Sequence, residues 1–220
     1  MITYEQIKND PDIRVYVSAA DSSLAALGYT EHSFPHVTRV AAMAGYILET
    51  LGYSERDIEL AKIAGFMHDI GNLVNRADHS QSGAIIAFRI LNDLGMDAKE
   101  IAAIVAAIGN HDEDTGVPVS AIAAALILAD KSDVRRSRVR NKKLVDRSDI
   151  HDSVNYSVTK SELIINESKT EITLKLEIDT EFSAVMDYFE IFLKRMIMCR
   201  KVSQTIGLQF KISINGQLLL

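Results

Sequence analysis

Gly65-Phe66-Met67-His68-Asp69-Ile70-Gly71-Asn72 stands where an apolar helical pattern meets two side chains able to bind metal. Ile63, Ala64, Phe66 and Met67 lead into His68-Asp69, and Gly71 then interrupts the pattern. The spacing predicts a buried helix that delivers an imidazole and a carboxylate to its own C-terminal end. Both groups are good ligands for a borderline divalent ion. Neighbouring helical positions point about 100° apart, so the two side chains reach one ion only beyond the helix end. Gly71 is predicted to close the helix in the left-handed conformation that glycine adopts readily. A His-Asp pair alone is more often a helix cap, and the other histidines carry the argument further.

Helical punctuation continues on both sides. Thr3 and Gln6 make a capping box, and Asp10-Pro11 opens a second helix with proline at its first position. Ser33 starts a third, with Val37, Val40, Ala41, Ala44, Ile47, Leu48 and Leu51 at helical spacing, and Gly52 closes it. Ser54 and Asp57 cap the helix that ends at His68-Asp69. After a loop over residues 71–78, His79 precedes a helix through Ala84, Ile85, Ala87, Phe88 and Leu91. Asp97 opens another, which runs to Gly109-Asn110-His111. From Ser120 an apolar helix reaches Asp130 and is predicted to continue into a basic segment. Strand signals begin only later: residues 154–165 and 170–178 are β-branched, with a turn at Asn166-Glu167-Ser168-Lys169. Helical spacing returns over 181–202, and Phe210, Ile212 and Ile214 alternate as a strand. The expected architecture is mainly α: a helical domain over 1–147, then a C-terminal β-β-α-β extension over 148–220, read as a small antiparallel sheet covered by a helix.

The chain has 220 residues, 47% hydrophobic and 25% charged, enough for a full core. Its longest apolar runs fall far short of the roughly 18 residues of a membrane span. One cysteine, Cys199, forbids an internal disulfide, and the N-terminus lacks a signal-peptide pattern, so a cytoplasmic setting is expected. Net charge is −6, yet residues 131–147 hold eight basic and two acidic side chains. That balance argues against non-specific binding to membrane or nucleic acid and favours a local anionic group such as phosphate. The later helix carries Phe182, Phe189, Phe192, Met196 and Met198, more apolar surface than a small appendage needs; packing on the core or a homodimer contact is expected.

His36, His68, His79 and His111 all fall at helix starts, helix ends or adjoining loops. Asp130 follows Leu126-Ile127-Leu128-Ala129, where a carboxylate is costly unless it pairs or coordinates a cation. In this order and context the chain resembles the HD superfamily of metal-dependent phosphohydrolases: a histidine (His36), a His-Asp pair (His68-Asp69) and a distant aspartate (Asp130). Two further histidines that hold a second metal in many members match His79 and His111. The resemblance covers residues 31–133.

It implies an all-helical core and one or two divalent ions, drawn from Fe, Mn, Ni, Co or Zn. His36, His68, Asp69 and Asp130 would hold the first ion and His79 and His111 the second, with Asp69 bridging; His68 and Asp69 form the catalytic pair. The implied reaction is attack of metal-activated water on a phosphate ester, of a nucleotide or another small phosphorylated metabolite. A lysine that often follows His-Asp-x-Gly is Asn72 here, and Thr115-Gly116-Val117-Pro118 stands in place of a Gly-Tyr-Pro signature. Asn72, Lys131 and Arg135 are candidate phosphate contacts. The alternatives are a non-catalytic metal- or nucleotide-binding regulatory module and a di-iron oxygenase on the same fold.

Overall fold

The computed structural model describes residues 1–140 and 150–219. The chain divides into two compact units, Met1–Asp130 and Lys131–Leu220. The expected boundary at 147/148 and the end of the basic segment lie outside the described residues.

The first unit is entirely helical: α1 (Tyr4–Asn9), α2 (Pro11–Ala26), α3 (Phe34–Leu51), α4 (Glu55–Met67), a 3-10 turn (Ile70–Leu73), α5 (His79–Asp93), α6 (Ala98–Gly109) and α7 (Ala121–Lys131), whose last residue opens the second unit. Its start signals act as the sequence suggests. The Thr3–Gln6 capping box forms, Asp10 accepts from Asp12 and Ile13 N–H, Ser54 from Asp57 and Asp97 from Lys99. Ser33 begins α3 without a side-chain cap bond, its hydroxyl being taken by Glu31. Gly52 closes α3 with φ 83°.

Two helix contacts depend on missing side chains. A Cβ at Gly65 would lie 2.7 Å from the Ala41 Cα, so α4 and α3 touch backbone to backbone. Gly71 departs from expectation: it does not take a left-handed conformation. Its glycine is required by close approach instead, because a Cβ there would lie 1.9 Å from the His79 carbonyl oxygen and 2.5 Å from Gly83 N. Gly83 faces it from α5, where a Cβ would meet Gly71 N at 3.2 Å. The first turns of α5 therefore rest directly on the turn that follows His68-Asp69.

The second unit differs from the sequence reading in three places. α7 ends at Lys131, and the chain then makes a 3-10 turn at Arg136–Arg138 rather than a continued helix. The beginning of the first expected strand is helix: α8 (Ile150–Ser157) precedes β1 (Val158–Ile165). Val154 and Val158 are four residues apart and both buried, a spacing that serves a helix as well as a strand. The third difference is in the sheet, which runs β1, β2 (Glu171–Ile178), β3 (Gln209–Ile214), β4 (Gln217–Leu218). The β2–β3 pair is parallel and the other two are antiparallel. Helix α9 (Val185–Thr205) separates β2 from β3 in sequence and supplies the crossover that parallel neighbours require. Alternation sets which face of a strand is buried, as with Ile172, Leu174, Leu176 and Ile178, but not the direction of its neighbour. No helix among the described residues is long and apolar enough to cross a membrane.

Candidate metal centre

Five helices and one turn bring the histidines and aspartates together inside the first unit. His36 lies in the first turn of α3 and His68 follows the last residue of α4, so the Gly65–Ala41 contact sets their separation. Asp69 precedes the 3-10 turn, His79 begins α5, His111 follows the end of α6, and Asp130 lies at the C-terminal end of α7. Gln81 of α5 donates to the Gly109 carbonyl at 2.7 Å, tying the His79 end to the His111 end. The rings of His36, His68, His111 and His79 form a file with successive centroids 5.2, 5.0 and 5.0 Å apart.

Distances within the cluster suit a shared cation. Asp69 Oδ2 lies 3.5 Å from His36 Nε2 and 3.2 Å from His68 Nε2, and Asp130 Oδ1 lies 3.4 and 3.5 Å from the same two nitrogens. Ligands about 2.1 Å from one ion stand about 3.0–3.4 Å apart. The other oxygen of Asp69 faces the opposite way, with Oδ1 3.6 Å from His79 Nε2. His36–His68–Asp130 and His68–Asp69–His111 are each close enough to hold an ion. Asn72 is buried and donates both to the Asp69 carbonyl and to Oδ1, each at 2.9 Å, which fixes the turn of the carboxylate between the two groups.

The tautomers strengthen the fit. The Nδ1 atoms of His68, His79 and His111 lie 2.8, 3.2 and 2.6 Å from the carbonyl oxygens of Gly65, Arg76 and Ile108. A carbonyl only accepts, so each Nδ1 carries hydrogen, and Nε2 is the nitrogen that presents a lone pair to the centre when the ring is neutral. His79 Nε2 and His111 Nε2 are 3.2 Å apart, and two lone pairs at that distance need a proton or a cation between them. His68 Nε2 is buried and makes no well-directed hydrogen bond. Nitrogen donors with carboxylates are the ligand set of Mn, Fe, Co, Ni or Zn rather than Mg.

Burial alone would push the His68 imidazole down, but the Asp69 and Asp130 carboxylates outweigh it and raise its pKa to about 10. Burial would likewise raise Asp69, yet His68 and His36 outweigh it and hold that carboxyl well below its usual range. For the metal-free protein the raised imidazole contributes stability that is complete below 6.5 and lost as pH climbs through about 10. The depressed carboxyl contributes above 3.8 and is lost on acidification. A metal must displace the His68 proton, so metal binding tightens as pH rises. The melting-temperature gap between manganese-loaded and chelator-treated protein is therefore expected to widen from about pH 6 to about pH 9. A gap that stays constant or narrows over that range would sink this assignment of the His68 proton.

Lys131 and Arg135 belong to the second unit, where Lys131 is buried and Arg135 makes a two-pronged pair with Asp133 at 2.7 and 3.2 Å. His32 bonds Thr30 through Nδ1 and stands edge-on to His36 with centroids 5.3 Å apart. Asp112 Oδ2 is 3.9 Å from His79 Nδ1. The sequence reading passed over Arg76, whose guanidinium stands 4.0 Å from Asp69 Oδ1. Its signal was available: a lone arginine in the short loop joining two metal-ligand candidates.

A helical unit that gathers histidines and aspartates from separate helices around one centre defines a class of His/Asp metal-binding domains. A family model for the HD domain matches residues 34–152, just over half of the chain, and the chain belongs to that family. Among curated proteins it resembles Ribonuclease Y of Lawsonia intracellularis, 38% identical over 107 residues, which are 48% of this chain and 18% of that protein. Ribonuclease Y of Geobacillus thermodenitrificans is 31% identical over 116 residues, 53% of this chain and 21% of the relative. That of Acetivibrio thermocellus is 36% identical over 101 residues, 46% and 17%. The chain thus spans only about a fifth of the length of these relatives.

Proposed function

We propose that this chain is a metal-dependent phosphohydrolase that cleaves a phosphate ester of a nucleotide or similar small metabolite. The observation that carries the reading is the set of imidazole Nε2 atoms and carboxylate oxygens aimed at one centre, with His68 Nε2 buried there without a well-directed hydrogen bond. His36, His68, Asp69 and Asp130 would hold one divalent ion; His79 and His111 would hold a second, with Asp69 shared through its two oxygens. Such ions activate water for attack on phosphorus and stabilise charge on the phosphoryl oxygens. The chain's own work is orientation. Backbone carbonyls fix the His68, His79 and His111 tautomers, Asn72 fixes the Asp69 carboxylate, and burial removes competing water from all six side chains except the 7% and 12% exposed Asp69 and Asp130.

A second reading, cleavage of RNA phosphodiesters, is favoured by the name and 38% identity of the Lawsonia intracellularis relative. The test is a hydrolysis screen of the protein loaded with Mn, Fe, Co or Ni against nucleoside monophosphates, bis-(p-nitrophenyl) phosphate and RNA. Release from the small esters alone supports the first reading, and RNA cleavage supports the second. Wild-type protein that holds metal but cleaves none of them overturns both and returns the regulatory-module reading; oxygen consumption with iron would select the oxygenase.

The two-ion arrangement makes its own prediction. His79→Ala is expected to lose one of two bound ions, keep the other, and lower turnover by roughly 100-fold or more. Elemental analysis of the purified variant checks it, with His151→Ala, an exposed residue of α8, as the control. Equal metal content in His79→Ala and wild type would exclude the second ion.

A further inference from the structure

We propose that Arg76 seats the substrate's phosphate group, its guanidinium meeting the non-bridging oxygens through Nε and Nη2. This rests on the phosphohydrolase reading and adds to it a residue outside the ligand set. Arg76 belongs to the loop between the 3-10 turn and α5, and its own carbonyl oxygen accepts from His79 Nδ1 at 3.2 Å. The loop that positions one ligand of the centre thus also positions the cation. The side chain is about one-quarter exposed, at 26%, and points back toward the Asp69 edge of the cluster.

Its contacts leave much of the guanidinium uncommitted. Nη1 donates to Asn72 Oδ1 at a long 3.4 Å and stands 4.0 Å from Asp69 Oδ1. The guanidinium carbon lies 5.6 Å from the Tyr29 ring centre, a face contact that steadies the plane. Among the described residues, Nε and Nη2 make no hydrogen bond. An arginine kept to neutralise Asp69 would be expected to grip it in the two-pronged geometry that Arg135 makes with Asp133 at 2.7 and 3.2 Å. Asn72 stands between instead, holding Asp69 with its amide nitrogen and Arg76 with its amide oxygen. The carboxylate keeps lone pairs for a cation, and the guanidinium keeps donors for an anion. A planar fork of N–H groups beside the centre fits two oxygens of one phosphoryl group, which a point charge does not. Both a terminal phosphate and a phosphodiester offer that pair of oxygens.

The test compares wild type, Arg76→Gln and Arg76→Lys, each loaded with manganese. Three quantities are read: metal per chain, calorimetric binding of inorganic phosphate, and KM and kcat on an ester that wild type cleaves. Arg76→Gln is expected to keep wild-type metal content, to bind phosphate roughly tenfold or more weakly and to lose about 100-fold in kcat/KM. Arg76→Lys should recover part of the phosphate binding, since it restores charge but not the fork. A loss confined to esters with a terminal phosphate assigns the site to monoesters, and a loss on bis-(p-nitrophenyl) phosphate assigns it to diesters. Unchanged phosphate binding and KM in Arg76→Gln, or loss of metal from that variant, overturns the proposal while the hydrolase reading stands. Wild-type protein that holds metal yet neither binds phosphate nor cleaves an ester overturns both.

Discussion

Asp69→Ala is expected to purify without metal and without hydrolase activity. The carboxylate contributes to both halves of the centre, Oδ2 facing His36 and His68 and Oδ1 facing His79. Its removal takes a negative charge from among buried imidazoles and leaves their lone pairs facing one another. Groups that merely orient a ligand cost 10–100-fold in affinity when lost, so loss of a shared ligand should exceed about 100-fold and activity should fall by about three orders of magnitude or more. Asp69→Asn separates charge from shape: it keeps the volume and the contact with Asn72 but not the charge, and is expected to fail in metal binding nearly as badly. Metal content measured beside circular dichroism decides the matter. A folded Asp69→Ala protein with wild-type metal would end the shared-ligand assignment.

Gly71→Ala should be the most damaging single methyl in the first unit. The added Cβ would fall 1.9 Å from the His79 carbonyl oxygen and 2.5 Å from Gly83 N. Both obstacles are backbone, so no rotamer change relieves them, and α5 must lift away from the turn beneath it. Overpacking of this kind costs about 3 kcal/mol or more, which for a chain of this size lowers the melting temperature by about 10 °C. The lifted element begins with His79 and is bonded through Gln81 to the Gly109 carbonyl beside His111. The variant should therefore lose the His79–His111 ion before the His36–His68 ion. Calorimetric melting and metal stoichiometry together test it, and a wild-type melting temperature would show that α5 has room the geometry denies.

Much of this was already present in the order of residues. Start signals and period-3.6 spacing are local, so Thr3, Asp10, Ser54 and Asp97 cap the helices they precede, and Gly52 ends α3. The buried carboxylate Asp130 at the end of an apolar helix and the His68-Asp69 pair are also visible in one dimension, because an expensive buried charge needs a stated partner. The same locality misled the reading of 154–157, where the four-residue spacing of Val154 and Val158 suits a strand as well as the helix that ends at Ser157. It also misled the assignment of Gly71, whose glycine is required by a neighbour eight or more residues away rather than by its own backbone angle.

The tertiary structure decided everything that depends on packing between distant elements. Helical periodicity says which residues share a face, but not that Ala41 and Gly65 meet, and so not how far His36 stands from His68. It cannot say that β2 and β3 run parallel, since alternation is the same in either direction. The division of Asp69's two oxygens, the inward Nε2 lone pairs set by three backbone carbonyls, and the placing of Asn72 between Asp69 and Arg76 all arise from contacts among separate segments. Residue type determined which atoms could bind a cation or a phosphate; the close approach of backbones determined which of them face one another.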